Sequence, residues 1–376
     1  MKVKIAILLV LLGIFCIAVY IVLHSNDDKN IYNEILDEFI TEDGSADIYR
    51  NIVGLEEKSV SPSAQEIAYL VQAELKHYEY ENNDKSATIV EEGIRYLIDN
   101  VCIDENGDYG YGLYFEWDAF GDGSINDKDT SYGITNAAVI DTFVDVMDSS
   151  IISEDMKYEL QNITNNIIVS WCENHFTEVP GGGGYFWYSN QQVDNIDSPN
   201  ISAMLAGVFS KTIYLYPEIF SDEEINMCRE KIILSANNIN SKVELADGMP
   251  FWQYINGKDS ENDLVHHCFM LEGISLMRKY EDITFDWNGD DELNSLNEFF
   301  LGDDELYNNP IIEGRKNNNE ANMYGLGELL YYYSLIGEDE KASKVVDIIS
   351  DKIEDDNNDF RSMSFVIKGL SQYYFN

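Results

Sequence analysis

From Ser63 to the C-terminus, apolar residues recur at three- and four-residue spacing, and one run after another opens on a helix-capping signal. Ser63-Ala-Gln-Glu66, Thr88-Ile-Val-Glu91, Ser221-Asp-Glu-Glu224 and Ser260-Glu-Asn-Asp263 read as capping boxes, in which a hydroxyl and a later acid satisfy each other's backbone N–H groups. Ser198-Pro199 sets a cap before a proline at the first helical position. Ile201, Leu205, Val208, Phe209 and Ile213 form one apolar stripe, and Leu264, Phe269, Leu271, Ile274 and Met277 form another. About eleven such helices follow residue 60, with no comparable set of alternating strands, so the chain reads as all-α.

The helices fall into two classes. One follows long loops rich in Gly, Asn, Asp and aromatics: 132–147, 199–216, 263–280, 320–336 and 361–375. The other is more charged and amphipathic: 154–174, 222–238 and 340–353. The classes alternate. Helical hairpins arranged in a ring bury such a pattern, with the apolar class inside and the charged class outside; a stacked solenoid is the alternative.

The N-terminus has a separate logic. Met1-Lys2-Val3-Lys4 precedes a charge-free run from Ile5 to Leu23, long enough to cross a bilayer core at ~1.5 Å per residue. No small-residue cleavage site follows, and Phe15 before Cys16 argues against a lipoprotein signal. The reading is a cytoplasmic tail at 1–4, an uncleaved transmembrane signal anchor at 5–24, a polar tether with one short helix (Ile31, Ile35, Leu36, Ile40) at 25–60, and an extracellular domain at 61–376. Outside the cell, Asn162 and Asn200 are glycosylation sequons. Cys102, Cys172, Cys228 and Cys268 stand in apolar contexts that suit buried thiols as well as bridges.

Charge then limits the partners. With 69 Asp+Glu against 24 Lys+Arg the net charge is -45. Nucleic acid is excluded, because no basic surface is available to displace counterions from phosphates. Such a surface suits high ionic strength or divalent cations.

Three segments carry candidate chemistry. In Pro250–His267, Asp263 lies three and four residues before His266 and His267, so a carboxylate can orient an imidazole for acid or base work. Trp252 and Tyr254 sit on the loop before that helix; Tyr254 has a transferable proton, and Trp252 has a face for a sugar ring. The bland reading makes one histidine a cap and the aromatics core. In Gly181-Gly-Gly-Gly-Tyr-Phe-Trp-Tyr188, glycines allow close backbone approach, and Tyr185, Trp187 and Tyr188 are candidate platforms; Asp194 and Asp197 follow. No Lys-Ser/Thr follows these glycines, so this is no phosphate loop. In the loop 104–129, Asp118, Asp122 and Asp129 match positions 1, 5 and 12 of a calcium loop, but Phe120 stands where an oxygen ligand belongs. Asp104-Glu-Asn-Gly-Asp108 and Asp286-Trp-Asn-Gly-Asp290 repeat the spacing. Ca2+ is therefore the one candidate cofactor, against Asx-rich turns as the plain reading. Glu116 and Asp118, with Asp194, Asp197 and Asp263, are carboxylates available for glycoside hydrolysis, which needs two flanking the bond. Arg315 is a candidate clamp for a uronic carboxylate.

Aromatic loops leading into inner helices, as in Tyr185-Phe-Trp-Tyr188 before Ser198-Pro199 and Phe251-Trp-Gln-Tyr254 before Asp263, His266 and His267, resemble the (α/α) toroid superfamily of carbohydrate-active proteins over residues 60 to 376. That superfamily includes glucuronyl epimerases, polysaccharide lyases and six-hairpin glycosidase-like proteins. The resemblance implies a toroid of helical hairpins acting on a polysaccharide or glycan, as lyase, epimerase or glycosidase. A non-catalytic glycan- or partner-binding protein of the same shape is the alternative.

Overall fold

The computed structural model describes residues 31–36, 63–113, 115–258, 262–301, 305–311, 319–353 and 360–376. Eleven helices run through the described part after residue 62: α1 (Ala64–Glu81), α2 (Asp84–Asp99), α3 (Gly133–Met147), α4 (Glu154–Asn174), α5 (Pro199–Leu215), α6 (Asp222–Lys242), α7 (Leu264–Glu281), α8 (Gly289–Asn297), α9 (Met323–Ile336), α10 (Asp339–Ile353) and α11 (Phe360–Tyr374). The odd-numbered helices pack each on the next, and α11 packs back on α1, so they close a ring of six. Even-numbered helices line the outside, α2 on α1, α6 on α5 and α10 on α9. The two helix classes of the sequence are these two layers, and α1 joins the inner class.

Side-chain pattern explains the sorting. α5 is buried from Pro199 to Ile213, as a helix apolar on every side must be. α10 buries one stripe, Ala342, Val345, Val346 and Ile349, and turns its acids and lysines outward. The boxes at Ser63 and Ser221 form as read. Thr88 does not start a helix. α2 begins four residues earlier because Asn83 caps the backbone N–H groups of Lys85 and Ser86, and the Thr88 hydroxyl bonds back to the Asp84 carbonyl inside the helix. Asp263 caps α7, and Ser260 lies outside the described residues.

Two inner-helix crossings run through glycine. A Cβ on Gly273 would lie 2.2 Å from the Ala203 carbonyl oxygen, and one on Gly207 would lie 2.6 Å from that of Gly273. α9 and α11 meet the same way through Gly327 and Gly369. Alanine at 273 gains about 1 kcal/mol of helix propensity but meets backbone that cannot yield, an overpacking cost of about 1–3 kcal/mol. Gly273→Ala should therefore lower the urea midpoint. Gly289→Ala, where the new methyl meets nothing within 4 Å, should leave it unchanged or raise it.

The ring axis is not apolar. Lys368 of α11 meets Glu328 of α9 at 3.1 Å and Glu272 of α7 at 3.6 Å, and lies over the rings of Tyr331 and Tyr69. Lys211 of α5 bonds Asp141 and Asp145 of α3 at 2.6 Å each, and Gln72 of α1 bonds Asp141 at 2.8 Å. Every inner helix thus contributes to a buried polar layer in which both ammonium groups are matched, the condition for charge to survive inside.

Chain direction puts the long loops together. Inner-to-outer connections are short, whereas four of the five outer-to-inner ones are long, running 100–132, 175–198, 243–263 and 298–322. All four of the latter enter at the N-terminal end of the ring, and each carries a small antiparallel hairpin: β1 (Cys102–Ile103) with β2 (Tyr109–Gly110), β3 (Phe176–Val179) with β4 (Gly183–Phe186), β5 (Glu244–Ala246) with β6 (Met249–Phe251), and β7 (Phe300–Leu301) with β8 (Glu305–Leu306). These strands are too short to show alternation in sequence.

Two N-terminal expectations meet the structure differently. The anchor at 5–24 lies outside the described residues; among the described ones, no helix is long and apolar enough to cross a membrane. Residues 31–36 are helical, as their spacing predicts, but they are docked rather than part of a free tether. Tyr32 bonds Glu74 and packs edge-on against His77 and Phe375, with Ile35 and Leu36 buried. Cys102, Cys172, Cys228 and Cys268 are free thiols, the last three buried. Asn200 is buried at the start of α5, so its sequon is closed to a glycan in the folded state.

Candidate functional site

The loop ends that carry Tyr188 and Tyr254 meet. Their hydroxyls are 3.3 Å apart, Tyr254 donating, and the Ser198 hydroxyl bonds the Tyr254 carbonyl at 2.9 Å instead of capping α5. Below them, His266 occupies the first turn of α7. Its Nδ1 lies 2.6 Å from Asp263 Oδ1, while its backbone N–H donates to the same oxygen at 3.1 Å. The Tyr254 ring stands on the His266 ring, centroids 4.6 Å apart. Asp263, His266, Tyr254 and Tyr188 therefore form a continuous chain of titratable groups at the loop-bearing end. Burial would raise the Asp263 carboxyl, but its bonds with His266 outweigh that and hold it low. Burial raises both phenols, so they stay neutral at neutral pH.

Further aromatics, none of them a site candidate in the sequence, extend this chain into a wall. Trp117, Phe120 and Tyr132 all pack against Tyr188. Phe269 and Tyr324 converge on Phe365, with Arg361 over the Tyr324 ring, its charge opposing the burial that raises the Tyr254 phenol. Lys258 stands over Phe120. The sequence signal for Trp117 and Tyr132 is faint, because both lie in or beside a loop whose spaced aspartates carry the stronger motif.

Asp194 and Asp197 hold this end together. Asp194 is buried and accepts from Asn126 and Ser189 at 2.6 Å each, with Asn126 also bonded to the Tyr132 hydroxyl. Asp197 accepts from Asn256 at 2.6 Å and from Asn238, joining two loops to α6. Asp197 is thereby spent on loop architecture, whereas Asp194 takes both bonds on Oδ2 and leaves Oδ1 buried with no partner.

Several expected site residues lie elsewhere. His267 is fully buried, with Nε2 on the Ser295 hydroxyl at 2.7 Å and its ring among Phe251, Trp252 and Phe299. Burial pushes it down to about 3, so it is a neutral core residue and not a catalytic one. One position along the helix from His266, it points outward from the ring axis instead of toward the opening. An unfolded chain takes up this proton near pH 6.5 and the folded one does not, so stability falls as pH drops from about 6.5 toward 3. Between pH 7 and pH 5.5 this costs about 1 kcal/mol, and His267→Gln should flatten that part of the profile in urea titrations.

Trp252 is core as well, buried against Trp287 with its indole N–H on the Ile239 carbonyl. Tyr185 and Trp187 alternate with Phe186 and Tyr188 along the strand and face away from them. The Tyr185 hydroxyl bonds Asn195, and the Trp187 indole bonds Thr177. Glu116 is exposed on the rim. Asp118 spends its carboxylate on the N–H groups of Phe120, Asp122 and Gly123, the plain Asx-turn reading. Among the described residues, Asp118, Asp122 and Asp129 do not gather their carboxylates into one group, and Phe120, at the third position, packs on Tyr188. Arg315 lies outside the described residues.

Neither a family model nor a curated protein matches the sequence. Solved structures do match in shape. A glycoside hydrolase family 76 alpha-mannanase of Bacteroides thetaiotaomicron superposes with a TM-score of 0.60 over 93% of this chain and 95% of that one, at 10% identity. A family 76 alpha-1,6-mannanase from Salegentibacter sp. gives 0.53 over 94% and 99%, at 12% identity. A sugar epimerase from a ruminal bacterium gives 0.53 over 87% and 88%, also at 12% identity. The fold is the (α/α) toroid. The end of the toroid that bears Tyr188 and Tyr254 is the end at which the four long loops enter.

Proposed function

We propose that this opening binds a glycan and moves a proton on it, as an epimerase or lyase does, with His266 as the acid–base group. The observation that carries this is the Asp263–His266–Tyr254–Tyr188 chain, with its 2.6 Å carboxylate–imidazole contact beneath two neutral phenols. Asp263 fixes the imidazole, His266 takes a proton from a sugar carbon acidified by an adjacent carbonyl or carboxylate, and the neutral Tyr254 phenol donates one. Trp117, Phe120 and Tyr188 supply flat apolar faces for the ring. Arg361 supplies positive charge for the oxygen that gathers electrons, the part that sequence alone assigns to Arg315. The mannanase and epimerase likeness supports a carbohydrate as the partner. Hydrolysis is the weaker reading because Asp118 and Asp197 spend their carboxylates on loop amides and Asp263 is committed to His266.

The same proposal keeps the anchor at 5–24, with the toroid outside the cell. The test uses neutral and uronic glycans incubated with the protein in D2O. Deuterium at a sugar carbon, or a new unsaturated end, should appear with the wild type and disappear in His266→Ala and Tyr254→Phe. New reducing ends without exchange would make the protein a hydrolase. Binding without any turnover would make it a glycan-binding module.

A further inference from the structure

A second cluster lies apart from the phenol chain, where the first and second loop-bearing connections touch. Asp104 and Asp108 bracket the β1–β2 turn, and His175 is the residue on which α4 ends. One ligand atom from each lies within 4.8 Å of the others. Asp104 Oδ1 accepts the backbone N–H groups of Asn106 and Asp108, and Asp108 Oδ2 accepts from Asn174 Nδ2 at 2.8 Å. Each carboxylate is therefore aimed by its neighbours and keeps lone pairs to spare.

The independent observation is the imidazole. His175 is 6% exposed and packed between the Trp171 and Trp187 rings. Its Nδ1 is buried with no hydrogen-bond partner, and its Nε2 faces Asp108 Oδ2 at 3.9 Å, beyond hydrogen-bond reach. Burying Nδ1 without a partner costs stability, and no hydrogen bond claims Nε2, which stays open toward the carboxylates. Two bonds of ~2.0–2.2 Å at the tetrahedral angle hold their ligand atoms about 3.3–3.6 Å apart, so the 3.9 Å gap closes onto one ion with a shift of a few tenths of an ångström.

We propose that Asp104, Asp108 and His175 bind one divalent transition-metal ion of the zinc class, which ties the β1–β2 hairpin to the junction of α4 and β3. An imidazole with two carboxylates selects this class over calcium or magnesium, which favour all-oxygen sets. The ion would cancel both carboxylate charges and fix the position of Trp187 through His175.

The full-length protein, stripped with EDTA and held in excess Mg2+ to occupy its acidic surface, should bind a single equivalent of Zn2+ in calorimetry. It should also give a visible ligand-field spectrum with Co2+ and melt at a higher temperature with Zn2+. Asp104→Asn keeps the turn, because asparagine accepts the same backbone bonds. It and His175→Gln should each weaken Zn2+ at least ~10-fold and change the cobalt spectrum. Should His175→Gln fail to fold, Asp104→Asn and Asp108→Asn decide alone. Zn2+ binding that is absent, that Mg2+ abolishes, or that all three variants leave unchanged would overturn the site.

Discussion

Lys368→Met should lower the unfolding free energy by about 3–5 kcal/mol, the cost of stranding a buried charge. The ammonium is 2% exposed and holds Glu328 at 3.1 Å and Glu272 at 3.6 Å across the ring axis. Burial alone would lower this lysine, but Glu272 and Glu328 outweigh burial and raise it, so it is charged at any working pH. Burial pushes the Glu272 carboxyl well up, with Lys368 opposing. Removing the ammonium leaves Glu328, with no exposed surface, facing no cation. Methionine keeps the volume, so the loss is electrostatic rather than a cavity. Lys368→Met combined with Glu328→Gln should recover most of the stability, because a buried pair replaced as a unit costs little. Equal urea midpoints for wild type and Lys368→Met would show that water reaches the axis.

That axial layer is illegible in the sequence, whereas the ring around it is not. Stripes such as Ile201–Ile213 repeat at helical spacing, and spacing survives folding whatever the neighbours. Lys368, Glu328 and Glu272 come from three helices, and no local pattern announces that three charges will share one axis. The hairpins β1 to β8 escape detection for a related reason, since two to four residues cannot show a period. At the opening, Tyr188 and Tyr254 are visible because each ends an aromatic loop before an inner helix. The other aromatics of the first loop cannot be sorted until strand alternation puts Tyr185 and Trp187 on one face and Phe186 and Tyr188 on the other. His266 and His267 are indistinguishable by composition. One step of about 100° around α7 sends the first toward the opening and the second into the core.

The division between the two histidines sets the second large effect. If His266 moves the proton, His266→Ala should cut turnover by ~10²–10⁴-fold on whichever glycan the D2O assay identifies, with KM changed far less. Asp263 acts through the imidazole and is a positioning residue, so Asp263→Asn should cost less in turnover and little in stability, since asparagine caps a helix about as well as aspartate. Its stability signature has a definite sign. The folded carboxyl is held below its ordinary range, so its contribution is present above the unfolded value near 3.9 and is lost as pH falls through the lower folded one. Wild type should therefore outlast Asp263→Asn at neutral pH and converge with it in strong acid. Tyr254→Phe removes the hydroxyl that donates to Tyr188 while keeping the ring on His266. A turnover loss in Tyr254→Phe as deep as in His266→Ala would make the phenol a member of the proton path. Full activity in Tyr254→Phe with none in His266→Ala would leave the imidazole working alone, with Tyr254 serving as a wall.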